Sequence, residues 1–539
     1  MSKLVDNAEL HKSTSAASKA ETIVTTDNGN GNEGHSRQMQ VTFNLWSTLG
    51  LVYSITATPL GVGSYLTFSL ILGGSPFYIY GYMFAVSLNI ILCVALAEAA
   101  SMYPHPSGKR NLNLPGEGDA AEHQAHLRNA GHIYWVGKLA PEKWALSLSY
   151  WTGVLTSSAW FFWNAGTYLL TAQILLAGVM VLHPDYVQEP WHTVLVAWLQ
   201  AIISVIWNIP LFKTWPYALK AMVIVTNVGV LYLAISLLVR TNPKQSAHSV
   251  FVEVINESGW ASSGVVFFLG LLPGTTAING FDSASHMVEE MPDPARQVPQ
   301  VMVGNALLSG FLGLPMTIIF CFCISNRDNL LAPVGGVTVI QIFKDSLDSE
   351  ALFIISTILY VVVTLVAATA VTTTCSRVWW SFSTHHGLPF SSWFSVIDTT
   401  AYWAVPTNAI LAIAVSSCLV LLLNLGPSFV LAALFSTANI CFYLSYFITI
   451  VCFLKKKWQH GLPPHYFNLG GLLGNVICIT SAIWSIFASV WLLFPYYLPV
   501  TPLLMNYSVV VLAVPIALFS VDWMLRARKS YIIPSPLLI

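Results

Sequence analysis

The stretch Leu271–Pro299, LLPGTTAINGFDSASHMVEEMPDPARQVP, begins as apolar helix and ends as charged loop. Pro273-Gly274 and then Gly280 interrupt it. Proline removes a backbone donor and crowds the preceding turn, while glycine permits the left-handed conformation that stops a helix. An earlier stretch, Leu49 to Gly74, is interrupted in a comparable place by Pro59, Gly61 and Gly63. In lipid, a broken helix leaves N–H and C=O groups without partners. That is tolerated only where the backbone is buried in protein or lines a wet cavity. Groups freed in this way can bind the polar ends of a solute or a coupling ion.

The rest of the chain supplies the lipid setting. Of its 539 residues, 55% are hydrophobic and 9% are charged, against roughly 25% charged in a soluble domain. Such a chain cannot cover a water-facing surface, so an integral membrane protein is expected, with the bilayer as its partner. A net charge of −1 carries no nucleic-acid footprint. All eight cysteines fall in apolar segments and read as small packing residues. No Ser-His-Asp set, metal-ligand spacing or phosphate loop stands out, so no enzyme, metal, cofactor or ATP-driven pump is expected. Residues 1–44, rich in Ser, Thr, Asn and Gly, read as a disordered tail without the apolar core of a signal peptide.

A spanning helix needs roughly 20 mainly apolar residues. Twelve segments qualify, at about 45–71, 77–103, 144–182, 192–208, 216–239, 261–285, 299–323, 352–382, 406–424, 429–454, 471–494 and 507–526. The third is kept as one helix because nothing between Leu146 and Leu182 is charged. With the N-terminus inside and the spans alternating, the inner segments hold 19 Lys and Arg. The outer loops hold four: Arg240, Lys244, Arg327 and Lys344. That asymmetry favours twelve spans with both termini cytoplasmic. The sequon Asn256-Glu257-Ser258 then lies outside.

The interrupted spans are the first and the sixth. A separation of five spans suggests two five-helix repeats, and an odd number inserts the second upside down relative to the first, as in many secondary transporters. The expected organisation is a tail (1–44), a first repeat (45–239), a second repeat (261–454), two added spans (471–526) and a short cytoplasmic tail (527–539). The fold class is therefore an all-α polytopic membrane protein with an inverted repeat and broken helices 1 and 6.

Four local patterns carry a resemblance. They are Gly73-Gly74-Ser75-Pro76 before Tyr80-Gly81; Ala97-Glu98-Ala99-Ala100-Ser101-Met102-Tyr103-Pro104; Gly280-Phe281-Asp282-Ser283-Ala284-Ser285-His286 with Glu289-Glu290 and Val298-Pro299; and Ser376-Arg377 with Gly387-Leu388-Pro389-Phe390. With them the chain, from about Phe43 to Arg528, resembles the fungal amino acid/choline transporter branch of the amino acid–polyamine–organocation superfamily, which has the LeuT-type fold. The resemblance implies import of a small amine or amino acid, 4-aminobutyrate among them, by proton symport. Choline or polyamines are the alternative cargo, and a non-transporting nutrient sensor is the alternative from another class. It also implies the plasma membrane, with the vacuolar membrane as second choice.

One departure stands out. Members of that family run from a Pro-x-x-Gly turn almost directly into a Tyr/His-Trp pair. Here Pro104–Gly108 is separated from His132-Ile133-Tyr134-Trp135 by a very polar insertion at 109–131. It reads either as a genuine cytoplasmic loop or as a translated intron, because Gly-Lys and Ala-Gly can encode splice donor and acceptor sequences and excision leaves PSG-HIYWV.

The candidate site residues follow from the two breaks. Thr56, Ala57, Thr58, Gly61, Val62 and Gly63 surround the first; a half-helix N-terminus there suits a carboxylate. The plain alternative is a kink or a close helix contact. Thr276, Ala277, Ile278, Asn279 and Gly280 surround the second. The resemblance implies that carbonyls here accept an ammonium and that position 276, often Trp in relatives, gates the pocket. Trp160, Phe161, Phe162, Trp163 and Asn164 lie in span 3, which lines the pocket in this fold, and a Trp face attracts a quaternary ammonium. Four consecutive aromatics cover every side of a helix, so most are expected to face lipid or neighbouring helices. Trp163 and Asn164 are retained as candidates. Asn227 and Asn439 read as interhelical hydrogen-bond partners.

Asp282, an ionisable residue in a span, is functional by default. It reads as an inner-gate residue that caps the second half-helix or pairs with a cation. Glu98 has the same standing. Glu289, Glu290 and Arg296 read as cytoplasmic loop charges that could join Arg377 in an inner-gate network. His385-His386 read as a solvated loop pair.

Overall fold

The computed structural model describes residues 43–66, 70–102, 131–398, 404–426, 430–502 and 504–534, apart from the side chains of Glu289 and His460. The expected tail up to residue 42, the Tyr103–Gly108 turn, the insertion through residue 130, the Glu289 side chain and the last five residues lie outside the described residues. Twelve helices are long and apolar enough to cross a bilayer: Leu45–Tyr65, Gly74–Met102, Glu142–Leu182, Pro190–Asn208, Phe212–Arg240, Ser263–His286, Pro294–Phe322, Glu350–Thr384, Thr407–Leu425, Val430–Gln459, Leu472–Trp491 and Ser508–Ser530. They are spans 1 to 12, and they occupy the twelve expected segments with ends displaced by a few residues.

Span 1 starts at a capping box. The Asn44 side chain accepts from the Ser47 N–H at 3.0 Å, and Ser47 Oγ accepts from the Asn44 N–H at 2.8 Å. The helix runs to Thr56 and breaks at a single residue, Ala57, held left-handed at φ 38° and ψ 38°. A left-handed L-residue costs about 1–2 kcal/mol. The interruption attributed to Pro59, Gly61 and Gly63 thus falls at Ala57, inside the Thr56–Gly63 stretch expected to hold it. Pro59 lies in the first turn of the second half, Thr58–Tyr65, where its missing N–H has no helical partner to lose. Gly61 continues that half, donating to the Ala57 carbonyl at 2.8 Å.

Span 6 is broken more thoroughly. One helix covers Ser263–Leu269, and a second short one, Leu272–Thr276, begins with Pro273 in its first turn. Pro273-Gly274 therefore opens a helix, and the interruption expected there falls at Gly270-Leu271 instead. After Thr276 the chain leaves the helix, Gly280 turns left-handed at φ 85°, and two 3-10 turns follow at Phe281–His286 and Val288–Glu290. The second expected break, at Gly280, stands.

Span 3 is one helix of 41 residues, as expected. At 1.5 Å per residue it is about 60 Å long, roughly twice the hydrocarbon thickness, so it must tilt or project from the bilayer. Spans 8 and 10 pack along it, and span 7 packs along span 2. Span 8 presents a buried run from Thr369 to Arg377 made mostly of small residues, which lets backbones approach closely.

Two connections position the site. A short linker helix, His132–Leu139, lies between spans 2 and 3. It begins at Gly131, at φ 44°, where a Cβ would come within 2.9 Å of the His286 ring and the Ser285 hydroxyl. Only glycine lets the linker dock on the end of span 6. The C-terminal segment backs the same helix: Ser149 Oγ donates to the Ile133 carbonyl at 3.0 Å and meets the Tyr531 hydroxyl at 2.7 Å, while Ile533 lies against Gly137. Elsewhere Leu72–Gly73 pairs antiparallel with Ile255–Asn256, stapling the span 1–2 turn to the span 5–6 loop.

Candidate functional site

The two breaks meet in the protein interior. Thr58 Oγ1 donates to the Ala277 carbonyl, one of the groups the second break releases. Span 10 holds the same place through Asn439. Its Oδ1 accepts from Asn279 Nδ2, and its Nδ2 donates to Thr276 Oγ1 at 2.9 Å. From span 2, Asn89 Nδ2 donates to the Thr275 carbonyl at 3.2 Å, and Asn89 Oδ1 accepts from Tyr443 and Trp484 at 2.9 and 2.8 Å. Asn439 is therefore the interhelical partner the sequence suggests, and its target is the broken backbone. Asn227 also ties helices, accepting from the Tyr53 hydroxyl at 3.2 Å.

Several buried polar atoms in or near these breaks have no hydrogen-bond partner among the described residues: Ser54 Oγ one turn before Ala57, Thr156 Oγ1 one turn before Trp160, Asn279 Oδ1 and Ser283 Oγ. Buried polar groups in native proteins almost always find partners. Donors and acceptors left open beside two broken helices are what a polar solute or its water would complete.

The expected residues divide. Ala57, Thr58, Ala277, Asn279 and Gly280 are gathered at the junction, and Ile278 is buried with them. Thr56 faces span 7, 3.4 Å from the Ser309 hydroxyl. A Cβ on Gly61 would lie 3.1 Å from the Thr56 carbonyl, so Gly61 keeps the break open. The Val62 carbonyl is taken by the Tyr78 hydroxyl, and the Leu60 carbonyl by Tyr360. Gly63 is a close-contact glycine: a Cβ there would come within 2.7 Å of the Tyr360 hydroxyl and 2.9 Å of the Phe320 ring. Thr276 does not leave an open gate, since its hydroxyl is held by the Leu272 carbonyl at 2.7 Å and by Asn439. Asn164 is satisfied away from the breaks, by Ser417 at 3.1 Å and Thr372 at 2.8 Å, tying span 3 to spans 9 and 8.

Of the two settings expected for the aromatic run of span 3, lipid or neighbouring helices, the structure gives most of it the second. Trp160, Phe162 and Trp163 are buried, and only Phe161 reaches a partly open position. Trp160 and Trp163 stack at 6.2 Å and both meet the Phe442 ring edge-on, at 5.3 and 5.4 Å. A Cβ on Gly280 would lie 3.3 Å from the Trp160 ring and 3.2 Å from Ile55, so this aromatic group adjoins the break.

Directly after Gly280, Asp282 is fully buried. Its Oδ1 accepts from the Tyr446 hydroxyl at 2.9 Å. Its Oδ2 accepts from Trp160 Nε1 at 3.3 Å, meets His286 Nε2 at 3.2 Å and lies 3.8 Å from His132 Nδ1. No lysine or arginine pairs with it among the described residues. The expected pairing with a cation is replaced by two imidazoles, one of them on the linker helix. Ligand-type atoms of His132, Asp282 and His286 lie within 4.8 Å of one another. The Oδ2 lone pairs are already engaged, and His286 Nε2 points at the carboxylate, so the set does not fit a metal centre. The sequence reading missed this convergence, because 150 positions separate His132 from Asp282. The available signal was the His132-Ile133-Tyr134-Trp135 pattern.

Farther along, Glu290 pairs with Arg377 at 3.0 Å, the two side chains being 2% and 1% exposed. The Arg377 guanidinium lies 4.8 Å from the centre of the Phe212 ring, and the Glu290 carbonyl accepts from the Phe43 N–H at 3.0 Å. Glu290 is thus no loop charge: the 3-10 turn at Val288–Glu290 carries it back into the core against span 8. Arg296 stays outside, over the Tyr466 ring. Glu98 is also buried, 3.6 Å from Lys457 Nζ and 3.5 Å from His465 Nε2, and it accepts from the Leu469 N–H at 3.1 Å.

A sequence profile described as amino acid permease matches residues 124–515. The chain belongs to the amino acid permease family. It is 25% identical to the choline transporter of Saccharomyces cerevisiae over 494 residues, 92% of this chain and 83% of that protein. It is 27% identical to a putative amino acid/polyamine transporter of Macrophomina phaseolina over 467 residues, 85% of this chain and 96% of that one. Among solved structures it is similar in fold to MhsT in complex with L-phenylalanine, with a TM-score of 0.52 and 14% identity, covering 84% of this chain and 99% of MhsT. The protein is a multi-pass membrane permease with the LeuT-type fold, twelve spans and broken spans 1 and 6.

Proposed function

We propose that this permease imports a small amine-bearing solute, an amino acid or 4-aminobutyrate, by proton symport and alternating access. The observation that carries the reading is the meeting of the two breaks: Thr58 reaches the Ala277 carbonyl, the polar atoms of Ser54, Asn279 and Ser283 are left open next to the breaks in sequence, and the Trp160 ring adjoins Gly280. An ammonium would take the carbonyls, and a carboxylate would lie at the N-terminal end of the half-helix beginning at Thr58. Thr56, Ala57, Thr58, Gly61, Ala277, Ile278, Asn279 and Gly280 form the proposed binding shell. Asp282, Glu290, Arg377 and Glu98 work as gating groups on the side of the linker helix. The protein has no catalytic role in this reading.

A second reading is choline or another quaternary amine. It is favoured by the stacked Trp160–Trp163 pair with Phe442 and by the likeness to a choline transporter. In both readings the repeats 45–239 and 261–454 rock about the site, with spans 11 and 12 added. Both termini face the cytoplasm, at the plasma membrane.

The test is uptake of radiolabelled amino acids, 4-aminobutyrate, choline and polyamines in yeast lacking its own permeases, at two external pH values. Uptake of one compound that rises at acid pH is expected. Competition by a methyl ester separates the readings, because an amino acid site needs the free carboxylate and a choline site does not. Surface-expressed protein that transports none of the panel would defeat both.

A further inference from the structure

A full negative charge buried in a membrane span is costly unless a positive charge balances it. Asp282 has three donors but, among the described residues, no lysine or arginine. The groups facing it can be named element by element. His286 lies on its own turn, His132 on the linker helix, Tyr446 on span 10 and the non-titrating Trp160 on span 3. Span 2 contributes the buried Cys93 thiol, while its Glu98 is engaged with Lys457 and His465. Span 8 contributes Arg377, already committed to Glu290. Span 7 carries Arg296, which lies over Tyr466. Span 1 brings no charged side chain to this turn. Among the described residues, the only source of compensating charge at Asp282 is therefore a proton on one of the two imidazoles.

The imidazoles are not equivalent. His286 Nε2 is within hydrogen-bonding distance of Asp282 Oδ2, at 3.2 Å. His132 lies 3.8 Å away, is fully buried, and neither of its ring nitrogens has a hydrogen-bond partner among the described residues. Its ring packs edge-on against His286, Tyr446 and Trp135. Burial, opposed by Asp282 and assisted by His286, pushes this imidazole down to about 3, so it is neutral where it sits. His132 is also the member of the group that does not belong to a span.

We propose that the Asp282–His286 pair holds the proton that accompanies the solute, and that His132 carries it off when the linker helix lifts. The proton leaves His286 Nε2 for the lone pair of His132 Nδ1. No other bond changes; Asp282 remains a carboxylate and His286 becomes neutral. As the helix lifts, hydration raises the proton affinity of His132 toward its ordinary value near 6.5, so it takes the proton from His286 and then gives it to water on a side whose pH lies above that value. The same movement uncovers the end of span 6, so solute exit and proton exit share one event. The emptied Asp282 then favours return with a new proton or a cationic solute. This inference rests on the proton-symport reading above.

The test uses the purified full chain in liposomes, with radiolabelled 4-aminobutyrate, or choline if the uptake panel selects it. Two rates are measured: accumulation driven by an imposed pH gradient, and exchange of labelled for unlabelled solute without one. The quantity read is their ratio. In the wild type, one proton per solute gives up to about tenfold accumulation per pH unit. The ratio is expected to fall at least tenfold in His132→Gln and in His286→Gln, and to hold in His385→Ala on the span 8–9 loop. An unchanged ratio in both variants would overturn the proposal. If a variant no longer exchanges, proton uptake on solute binding is read in detergent with a pH dye. About one proton per bound solute is expected for the wild type and none for His286→Gln; equal uptake would overturn the proposal. Exchange without gradient-driven accumulation in the wild type would instead defeat the symport reading, and the inference with it.

Discussion

Gly280 and Gly63 show how differently two glycines can serve one site. Gly280 is left-handed, which strains any side chain, and a Cβ would lie 3.2 Å from Ile55 and 3.3 Å from Trp160, so added bulk would press into the space beside the break. Gly280→Leu is expected to abolish uptake while surface labelling stays close to wild type, and Gly61→Leu to do the same by blocking the opening near Thr56. Gly63→Leu would push into the Phe320 and Tyr360 rings; it should fail at folding, seen as lost surface labelling. Glu290→Gln leaves the Arg377 charge buried without its partner. Breaking such a pair costs about 3–5 kcal/mol. The detergent-solubilised variant should melt well below wild type, and the double change Glu290→Gln with Arg377→Met should recover part of the loss. At this scale the chain is only partly legible. Asp282 reads as functional because a charge in a span is rare, but its partners are assigned by tertiary contact. Glu290 reads as a loop charge because Pro292 and Asp293 follow it closely, and nothing local says that the turn folds back against span 8.

Among the elements, the linker helix gives the clearest expectation. His132 is neutral while buried and has an ordinary value near 6.5 when hydrated. A group whose affinity is depressed by burial binds protons more readily in the lifted state, so protonation favours lifting. Lowering the pH from about 7.5 to about 5.5 should therefore raise hydrogen exchange over residues 132–139, after correction for the intrinsic rate. The increase should vanish in His132→Gln. Cutting the chain after Ser530 removes the Tyr531 hydroxyl from Ser149 and Ile533 from Gly137. It should raise exchange in the same helix at both pH values, by roughly tenfold for a contact worth about 1.4 kcal/mol. In the sequence only the His132-Ile133-Tyr134-Trp135 pattern after the insertion is legible, not the helix it begins. Nor is its docking on span 6, because it depends on one glycine whose neighbours lie more than 150 positions away.

For the whole molecule, topology and the insertion each have a direct assay. Asn256 is exposed at the end of its short strand, with Ser258 folded back onto it. If the termini are cytoplasmic, the sequon faces outside. A glycosidase-sensitive mobility shift that disappears in Asn256→Gln is the expected result; a persistent shift would place the glycan elsewhere. Deleting residues 109–131 joins Gly108 to His132 and so keeps a glycine at the position that docks on His286. The shortened chain should reach the surface and take up solute at least as well as the full one. Loss of uptake would make the insertion a working loop.

The sequence by itself determined the class of molecule. Length, apolar content and the spacing of charged loops specify twelve spans, because hydrocarbon thickness imposes a minimum run of apolar residues and the charge bias orients them. Proline and glycine in the first and sixth spans mark the broken helices, because those residues act through their own backbone. The tertiary structure decided what depends on distant neighbours. It placed the first break at Ala57, buried three of the four span 3 aromatics, closed Glu290 on Arg377 and gathered two histidines around Asp282. The physical reason is the same in each case: local backbone preference is written in consecutive residues, whereas charge compensation and ring packing are settled by side chains that only the fold brings together.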